Sequence, residues 1–187
     1  MNAMTSLRRR AILREASGYI ELAELLLEPD GPTPPNSQKL LLHALRLIDQ
    51  LPEPTRSKEE AKLLEGEALR ALGRWQEAIA PLTVASQESP QRLEAWLGLG
   101  WCYKRLGQLD AAIAVLERGL AAAPKQPILH YNLACYHSLA GNASTAVEHL
   151  TQAITKDGRF RALTEVERDF DPIRTDPRFQ AVTSVAT

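Results

Sequence analysis

The sequence predicts an all-α fold in which antiparallel helical hairpins repeat along the chain. Three glycines stand 34 residues apart, at Gly73, Gly107 and Gly141, and each follows a segment with apolar residues at helical spacing. Further ladders keep the same register: Ala78, Ala112 and Ala146; Ile79, Ile113 and Val147; Leu82, Leu116 and Leu150; Pro90 and Pro124. Five ladders in one register indicate a true internal repeat.

Each ladder has a mechanical reason. Glycine tolerates the positive φ that closes a turn after a helix, and proline cannot continue a helix. Asn142 lies where its side chain could cap the helix that follows. The alanines provide small side chains where two helices cross. A matching set of small residues lies on the first helix of each hairpin: Gly66, Gly100 and Ala134.

The repeat resembles the tetratricopeptide repeat, whose pattern is W-x2-L-G-x2-Y, then A-x3-F, then P. The middle copy departs from it only by leucine in place of phenylalanine: Trp96, Leu99, Gly100, Tyr103, Ala112, Leu116 and Pro124. The resemblance covers residues 59–158. It implies a right-handed superhelical solenoid whose stacked hairpins enclose a concave groove. One fold serves many functions, so the resemblance alone says little about the ligand.

We therefore expect three repeats, 59–92, 93–126 and 127–158, between two capping regions. Residues 1–58 should form a divergent hairpin, with a first helix over about 6–28 packed on a second helix over 37–51. Residues 159–187 should cap the other end as a lid. There, Asp171 and Asp176 each precede a proline and are predicted N-caps. The predicted apolar anchors of this lid are Phe170, Ile173 and Phe179.

Composition excludes several classes of protein. The net charge is -1, so no overall field attracts nucleic acid or membrane, and Arg8–Arg10 is interpreted as a solvated helix start. Two cysteines are too few for a disulfide framework. No apolar run is long enough for a membrane span, and the N-terminus does not resemble a signal peptide. We expect a cytoplasmic, bacterial protein.

No catalytic or cofactor site is predicted. His130, Cys135, His137 and His149 fall in one repeat. His130 and His137 share a helix face, but both occupy aromatic positions that pack inside the hairpin, and Cys135 points elsewhere. The four side chains are therefore expected to diverge, and no metal site is expected. Cys135 and His137 are two residues apart and do not face each other on a helix. Phosphate-binding and dinucleotide-binding glycine motifs are absent from the sequence. We expect neither an enzyme nor a cofactor.

The functional prediction is a peptide-binding groove on the face that the hairpins do not use. Large aromatic side chains on such a face are typical of binding hot spots. In related repeats the asparagine at the position of Asn132 often binds a peptide backbone. The predicted groove residues are Leu97, Trp101, Lys104, Arg105, Tyr131, Asn132 and Cys135.

The expected partner is therefore a protein or peptide, and not a small-molecule substrate, nucleic acid or membrane. Two alternatives stay open. One is a dedicated bacterial chaperone, which homodimer formation through residues 6–28 would favour, and the other is a self-associating assembly factor.

Overall fold

The computed structural model describes residues 5–27 and 31–184, and all regular structure in those residues is helical. The all-α prediction is therefore confirmed. The helices are α1 (Ser6–Glu24), α2 (Pro35–Asp49), α3 (Glu59–Ala71), α4 (Trp75–Glu88), α5 (Leu93–Arg105), α6 (Leu109–Ala122), α7 (Pro127–Leu139), α8 (Ala143–Lys156), α9 (Arg159–Leu163), a 3-10 helix (Arg168–Ile173) and α10 (Pro177–Thr183).

The chain divides into two compact units, Met1–Leu106 and Gly107–Thr187. The first contains α1 to α5, and the second contains α6 to α10. The division falls at the turn inside the second predicted repeat, rather than at a predicted repeat boundary.

In the first unit, α1 and α2 form a hairpin that continues into α3. The Thr5 side chain caps α1 by accepting a hydrogen bond from the Arg8 backbone N–H at 3.3 Å. The Ser37 hydroxyl donates to the Ala23 carbonyl at 3.2 Å, which ties the start of α2 to the last turn of α1. Buried residues of all three helices share one core, including Ala16, Leu41 and Leu64. Helix α1 therefore packs on α2 and α3.

The turn glycines adopt the predicted backbone. The φ angles of Gly73, Gly107 and Gly141 are 76°, 73° and 78°. After α3, the Arg74 N–H bonds the Leu69 carbonyl at 2.9 Å and the Gly73 N–H bonds the Arg70 carbonyl at 3.0 Å. This pair of bonds is the Schellman motif, which satisfies carbonyls that the helix end would leave free. The same pair of bonds closes α7 around Gly141.

In the second unit, α9, the 3-10 helix and α10 cover the hairpin of α7 and α8. Phe170 and Phe179 are buried, with ring centroids 5.3 Å apart. Tyr131 of α7 contacts Phe170 edge-on at 5.6 Å and Phe160 at 5.0 Å. The C-terminal segment therefore covers the last hairpin through these aromatic contacts.

Three details of the sequence prediction need correction. Asn142 precedes α8, but its side chain makes no capping hydrogen bond to that helix. Asp171 lies inside the 3-10 helix, whose cap is the Glu167 carboxylate. Helix α1 ends at Glu24, and residue 28 lies outside the described residues. Asp176 does cap α10, as predicted, by accepting from the Arg178 N–H at 2.8 Å.

Candidate functional site: an aromatic and cationic cavity in the first unit

The first unit contains a cavity of about 620 Å³ between the loop after α1, the end of α3 and the end of α5. This volume lies within the usual range for ligand sites, roughly 300–1,000 Å³. The lining residues are Leu27, Gly31, Pro32, Thr33, Gln38, Arg70, Ala71, Leu72, Gly73, Trp75, Trp101 and Arg105. We call it the aromatic–cationic cavity.

Two tryptophans and an arginine form one wall of this cavity. Trp101 and Arg105 are four residues apart on α5 and therefore lie on the same face of the helix. Trp75 is the first residue of α4 and follows the turn at Gly73. The Arg105 guanidinium carbon lies 4.6 Å from the Trp75 ring centroid and 5.9 Å from the Trp101 ring centroid. Cation–π attraction to both rings holds the guanidinium at the cavity wall.

The opposite wall is fixed by hydrogen bonds. The Thr33 hydroxyl donates to the Ala71 carbonyl at 2.8 Å, which anchors the α1–α2 loop to the end of α3. The Gln38 amide donates to the Thr33 carbonyl at 2.8 Å. Arg70 forms an ion pair with Glu24 at 2.5 Å. The cavity is therefore shaped by side chains that are held before any ligand binds.

An acidic side chain on α3 has a perturbed protonation equilibrium. Burial raises the pKa of the Glu67 carboxyl to about 7, and Glu24 and Glu94 add to the rise. Arg70 and Arg92 oppose it. Glu67 is therefore a mixture of protonated and ionised forms near neutral pH.

The structure separates the predicted groove residues into two groups. Leu97, Trp101, Lys104 and Arg105 are partly buried on α5, and the Lys104 Nζ lies 5.1 Å from the Trp101 ring centroid. Trp101 and Arg105 line the cavity. Trp75 and Arg70 also line it, although neither is among the groove residues predicted from sequence.

The predicted groove residues on α7 are placed differently. Tyr131 is 6% exposed and lies beneath the phenylalanine lid, and Cys135 is 2% exposed. The expected open placement of these two side chains is wrong, because the C-terminal segment covers α7. The Asn132 amide donates to the Ile128 carbonyl of its own helix at 2.9 Å.

Three histidines of the second unit come together, contrary to the expectation that they diverge. His130 and His137 lie on α7, and His149 lies on α8. The Nδ1 atoms of His130 and His149 are 3.1 Å apart. The His137 ring stacks on the His149 ring at 5.6 Å with an angle of 7° between their planes. We call these three residues the histidine cluster.

The cluster is held in the neutral form. Burial lowers the pKa of His149 to about 4, and the neighbouring His130 and His137 lower it further, whereas Glu148 opposes this effect. Burial also lowers the pKa values of His130 and His137. The cluster faces a second cavity of about 450 Å³, lined by His130, Val147, Glu148, His149, Thr151 and Gln152.

Cys102 and Cys135 are both buried, and they are not joined in a disulfide. Burial raises the pKa of the Cys102 thiol to about 11, so it stays protonated and unreactive near neutral pH. Cys135 also lies near the carboxylates of Glu167 and Asp169, and their donor atoms fall within 4.8 Å of one another.

The family model for the tetratricopeptide repeat matches residues 69–134. That segment spans the turn glycines Gly73 and Gly107 and the helices α4 to α6. The match shows that residues 69–134 contain tetratricopeptide repeats, and the helical hairpins and 34-residue register of the chain agree with it. A search of curated protein sequences finds no match.

Solved structures share the fold at low sequence identity. MamA (residues 41 to the end) from Desulfovibrio magneticus RS-1 aligns with a TM-score of 0.60 and 16% identity, covering 81% of this chain and 76% of that one. TTC0263, a TPR protein of Thermus thermophilus, aligns with a TM-score of 0.63 and 18% identity, covering 93% and 86%. YrrB, described as a TPR protein with an unusual peptide-binding site, aligns at 0.60 and 18%, covering 85% and 75%.

Among the described residues, no helix combines the length and the apolar character that crossing a membrane requires.

Proposed function

We propose that this protein is an interaction module that binds a peptide or helix of a partner protein, and that the aromatic–cationic cavity is where the ligand docks. The observation that carries the proposal is the Arg105 guanidinium between Trp75 and Trp101 at the wall of a cavity of about 620 Å³. Tryptophan and arginine are the residues most enriched in binding hot spots.

The chemistry of the wall indicates what the partner segment presents. Arg105 places its guanidinium at the cavity wall beside the indole rings, and a guanidinium is a planar fork whose geometry suits a carboxylate. Arg70 and Lys104 add positive charge nearby, and Glu24 offsets part of it through its ion pair with Arg70. The indole faces suit an apolar or aromatic side chain. The best ligand is a segment in which an acidic residue lies next to an apolar one.

The proposal narrows the groove predicted from sequence. Trp101 and Arg105 stay as its central residues, with Leu97 and Lys104 beside them on α5. Trp75 and Arg70 are added because they line the cavity. YrrB, whose description names a peptide-binding site, supports the proposal because it shares this fold. We propose a binding protein rather than an enzyme, in the cytoplasm of a bacterium.

A peptide selection tests this function directly. Random twelve-residue peptides are selected on the full-length protein, and the dissociation constants of the enriched peptides are measured by titration calorimetry. We expect Trp101→Ala and Arg105→Ala each to weaken binding at least about tenfold, because truncating a hot-spot residue typically costs about 2 kcal/mol or more and each 1.4 kcal/mol is about tenfold in affinity.

The matched control is Leu42→Ala. Leu42 is 43% exposed and lines a different cleft, so its truncation should leave both affinity and melting temperature unchanged. The proposal is wrong if selected peptides bind Trp101→Ala as tightly as wild type. It is also wrong if the variant loses binding only because its melting temperature collapses.

A second candidate function, self-association, is favoured by exposed leucines at the end of α1. Leu22, Leu25 and Leu26 are 49%, 81% and 49% exposed. An exposed apolar patch of this kind is typical of a protein interface. Light scattering after size exclusion tests it: a dimer that becomes a monomer in Leu25→Glu would support self-association, and a monomeric wild type at micromolar concentration would exclude it.

A further inference from the structure

The histidine cluster places three polar rings in a contact between two helices, where apolar side chains are usual. Three imidazoles meet between α7 and α8, and both ring nitrogens of His137 are buried with no hydrogen-bond partner among the described residues. Burying polar groups without partners costs free energy, which an apolar side chain at the same place would avoid. The contact between these helices is therefore not optimised for packing alone.

The relative orientation of His130 and His149 shows how their nitrogens are used in the structure. Their ring centroids are 5.3 Å apart and their Nδ1 atoms 3.1 Å apart. Because the nitrogens are much closer together than the ring centres, the two nitrogens point toward each other. One neutral ring donates its N–H and the other accepts it.

We propose that the Nδ1 atoms of His130 and His149 bind a divalent transition metal ion of the zinc, nickel and copper group. With metal–nitrogen distances of about 2.0–2.1 Å, two nitrogen ligands of one ion lie about 2.9–3.4 Å apart, depending on the angle at the metal. The observed 3.1 Å falls in that range, so the rings need to tilt, but the helices need not move apart.

The surroundings suit a metal ion in three ways. Imidazole is a preferred ligand of these ions and binds in its neutral form, which burial favours at all three histidines. The two ligands come from different helices of a packed hairpin, which fixes their separation. The adjoining cavity of about 450 Å³ gives the ion an entry path and room for water at its remaining positions.

Metal binding requires a change of tautomer in one of the two imidazoles, without any change in the number of bound protons. The ring that donates its Nδ1 hydrogen in the metal-free protein must carry that hydrogen on Nε2 instead, so that both Nδ1 lone pairs face the metal. No proton is released above the pKa values of the rings. His137 acts as a positioning residue, because its ring stacks on His149 at 5.6 Å.

Titration calorimetry with zinc and with nickel tests the proposal. The protein is full-length, tag-free and treated with chelator, and the buffer is at about pH 7.5, where neutral imidazole is the dominant form. We expect one ion per chain, and at least about tenfold weaker binding in His130→Gln and in His149→Gln. His137→Phe keeps a stacked ring and should retain binding. Nitrogen-15 NMR of the imidazoles should show both rings with hydrogen on Nε2 in the metal-bound protein.

Two matched controls separate this site from others. The fourth histidine of the chain, His43, lies in the first unit beside Tyr19, and His43→Gln should bind metal as wild type does. Cys135→Ser should also bind normally, because its neighbours Glu167 and Asp169 form a different group of donors.

Several results would contradict the assignment of a metal site to His130 and His149. They are no binding of zinc or nickel at millimolar concentration, undiminished binding in either glutamine variant, and loss of binding in Cys135→Ser or His137→Phe. Circular dichroism of each metal-free variant establishes that it is folded. If one of the two glutamine variants does not fold, metal binding by the other variant tests the proposed site.

Discussion

Leu82 of α4 occupies the space that a side chain at Gly66 of α3 would need. A Cβ atom at position 66 would lie 2.5 Å from Leu82 Cγ and 2.6 Å from Leu82 Cδ2. Leu82 also lies against Gly98 of α5, where a Cβ would be 3.1 Å from Leu82 Cδ1. The two glycines therefore let one leucine, fully buried, join three helices of the first unit.

The first prediction follows from this contact. Gly66→Ala should lower the free energy of unfolding by about 1–3 kcal/mol, because the new methyl group overlaps Leu82 near its branch point. Urea unfolding followed by circular dichroism measures the change. Gly18→Ala is the control, since it is also helical but has no described atom within 4 Å of the new Cβ, and it should stabilise by about 0.5–1 kcal/mol. Equal effects of the two substitutions would contradict the steric explanation.

The second prediction concerns the turn between α7 and α8. Gly141→Ala should destabilise the protein by about 1 kcal/mol, because alanine disfavours a positive φ, and φ here is 78°. No atom of the described residues lies within 4 Å of the added Cβ, so the cost comes from the backbone alone. Gly158→Ala is the matched control, because its φ is -58° and its Cβ site is also open. A neutral Gly141→Ala would show that the turn relaxes to another conformation.

The third prediction concerns pH and Glu67. Its pKa is about 7 in the folded state against an ordinary 4.5, so the folded protein binds the proton more tightly than the unfolded chain. Stability must therefore fall as pH rises through the interval between these two pKa values, by no more than about 3 kcal/mol. Glu67→Gln should remove this loss and stabilise the protein in mildly alkaline buffer. Urea titrations from mildly acidic to mildly alkaline pH measure it, and an unchanged pH dependence in the variant would refute the assignment.

The fourth prediction has the opposite sign and concerns His149. Its folded-state pKa of about 4 lies below the ordinary 6.5, so the unfolded chain binds the proton more tightly. The stability that the neutral ring provides is complete above the ordinary pKa and is lost as pH falls toward the folded-state value. His149→Gln should make the acid-induced loss shallower in urea titrations from neutral to acidic pH. A steeper loss in the variant would contradict this explanation.

The sequence predicted the fold well where one residue determines a local conformation. The positive φ at Gly73 and Gly141 could be inferred because glycine is the residue that adopts it without strain. The burial of Phe170 and Phe179 could also be inferred from their apolar character, although their partner Tyr131 could not. The tyrosine is predicted on an open face, because nothing in its own repeat shows that a later segment covers it.

The sites were less predictable because they depend on side-chain direction across different helices. Arg105 and Trp75 are 30 residues apart in sequence and meet only after α4 and α5 have packed. His130 and His149 belong to consecutive helices, and a small change in helix rotation would separate their nitrogens. Asp171 is predicted as an N-cap because an aspartate before a proline is a common helix start. It lies inside a 3-10 helix instead, and Glu167 caps that helix.

The distribution of the three tryptophans gives the protein a built-in optical probe. Trp75, Trp96 and Trp101 all belong to the unit Met1–Leu106, so intrinsic tryptophan fluorescence reports on that unit alone, whereas far-ultraviolet circular dichroism reports on the helices of both. Trp96 is buried and donates to the Pro90 carbonyl at 2.9 Å, so its emission should follow unfolding. Trp75 and Trp101 line the aromatic–cationic cavity, so their emission should respond to a ligand at constant temperature. Denaturation curves that coincide by both methods would mean that the two units unfold in one transition.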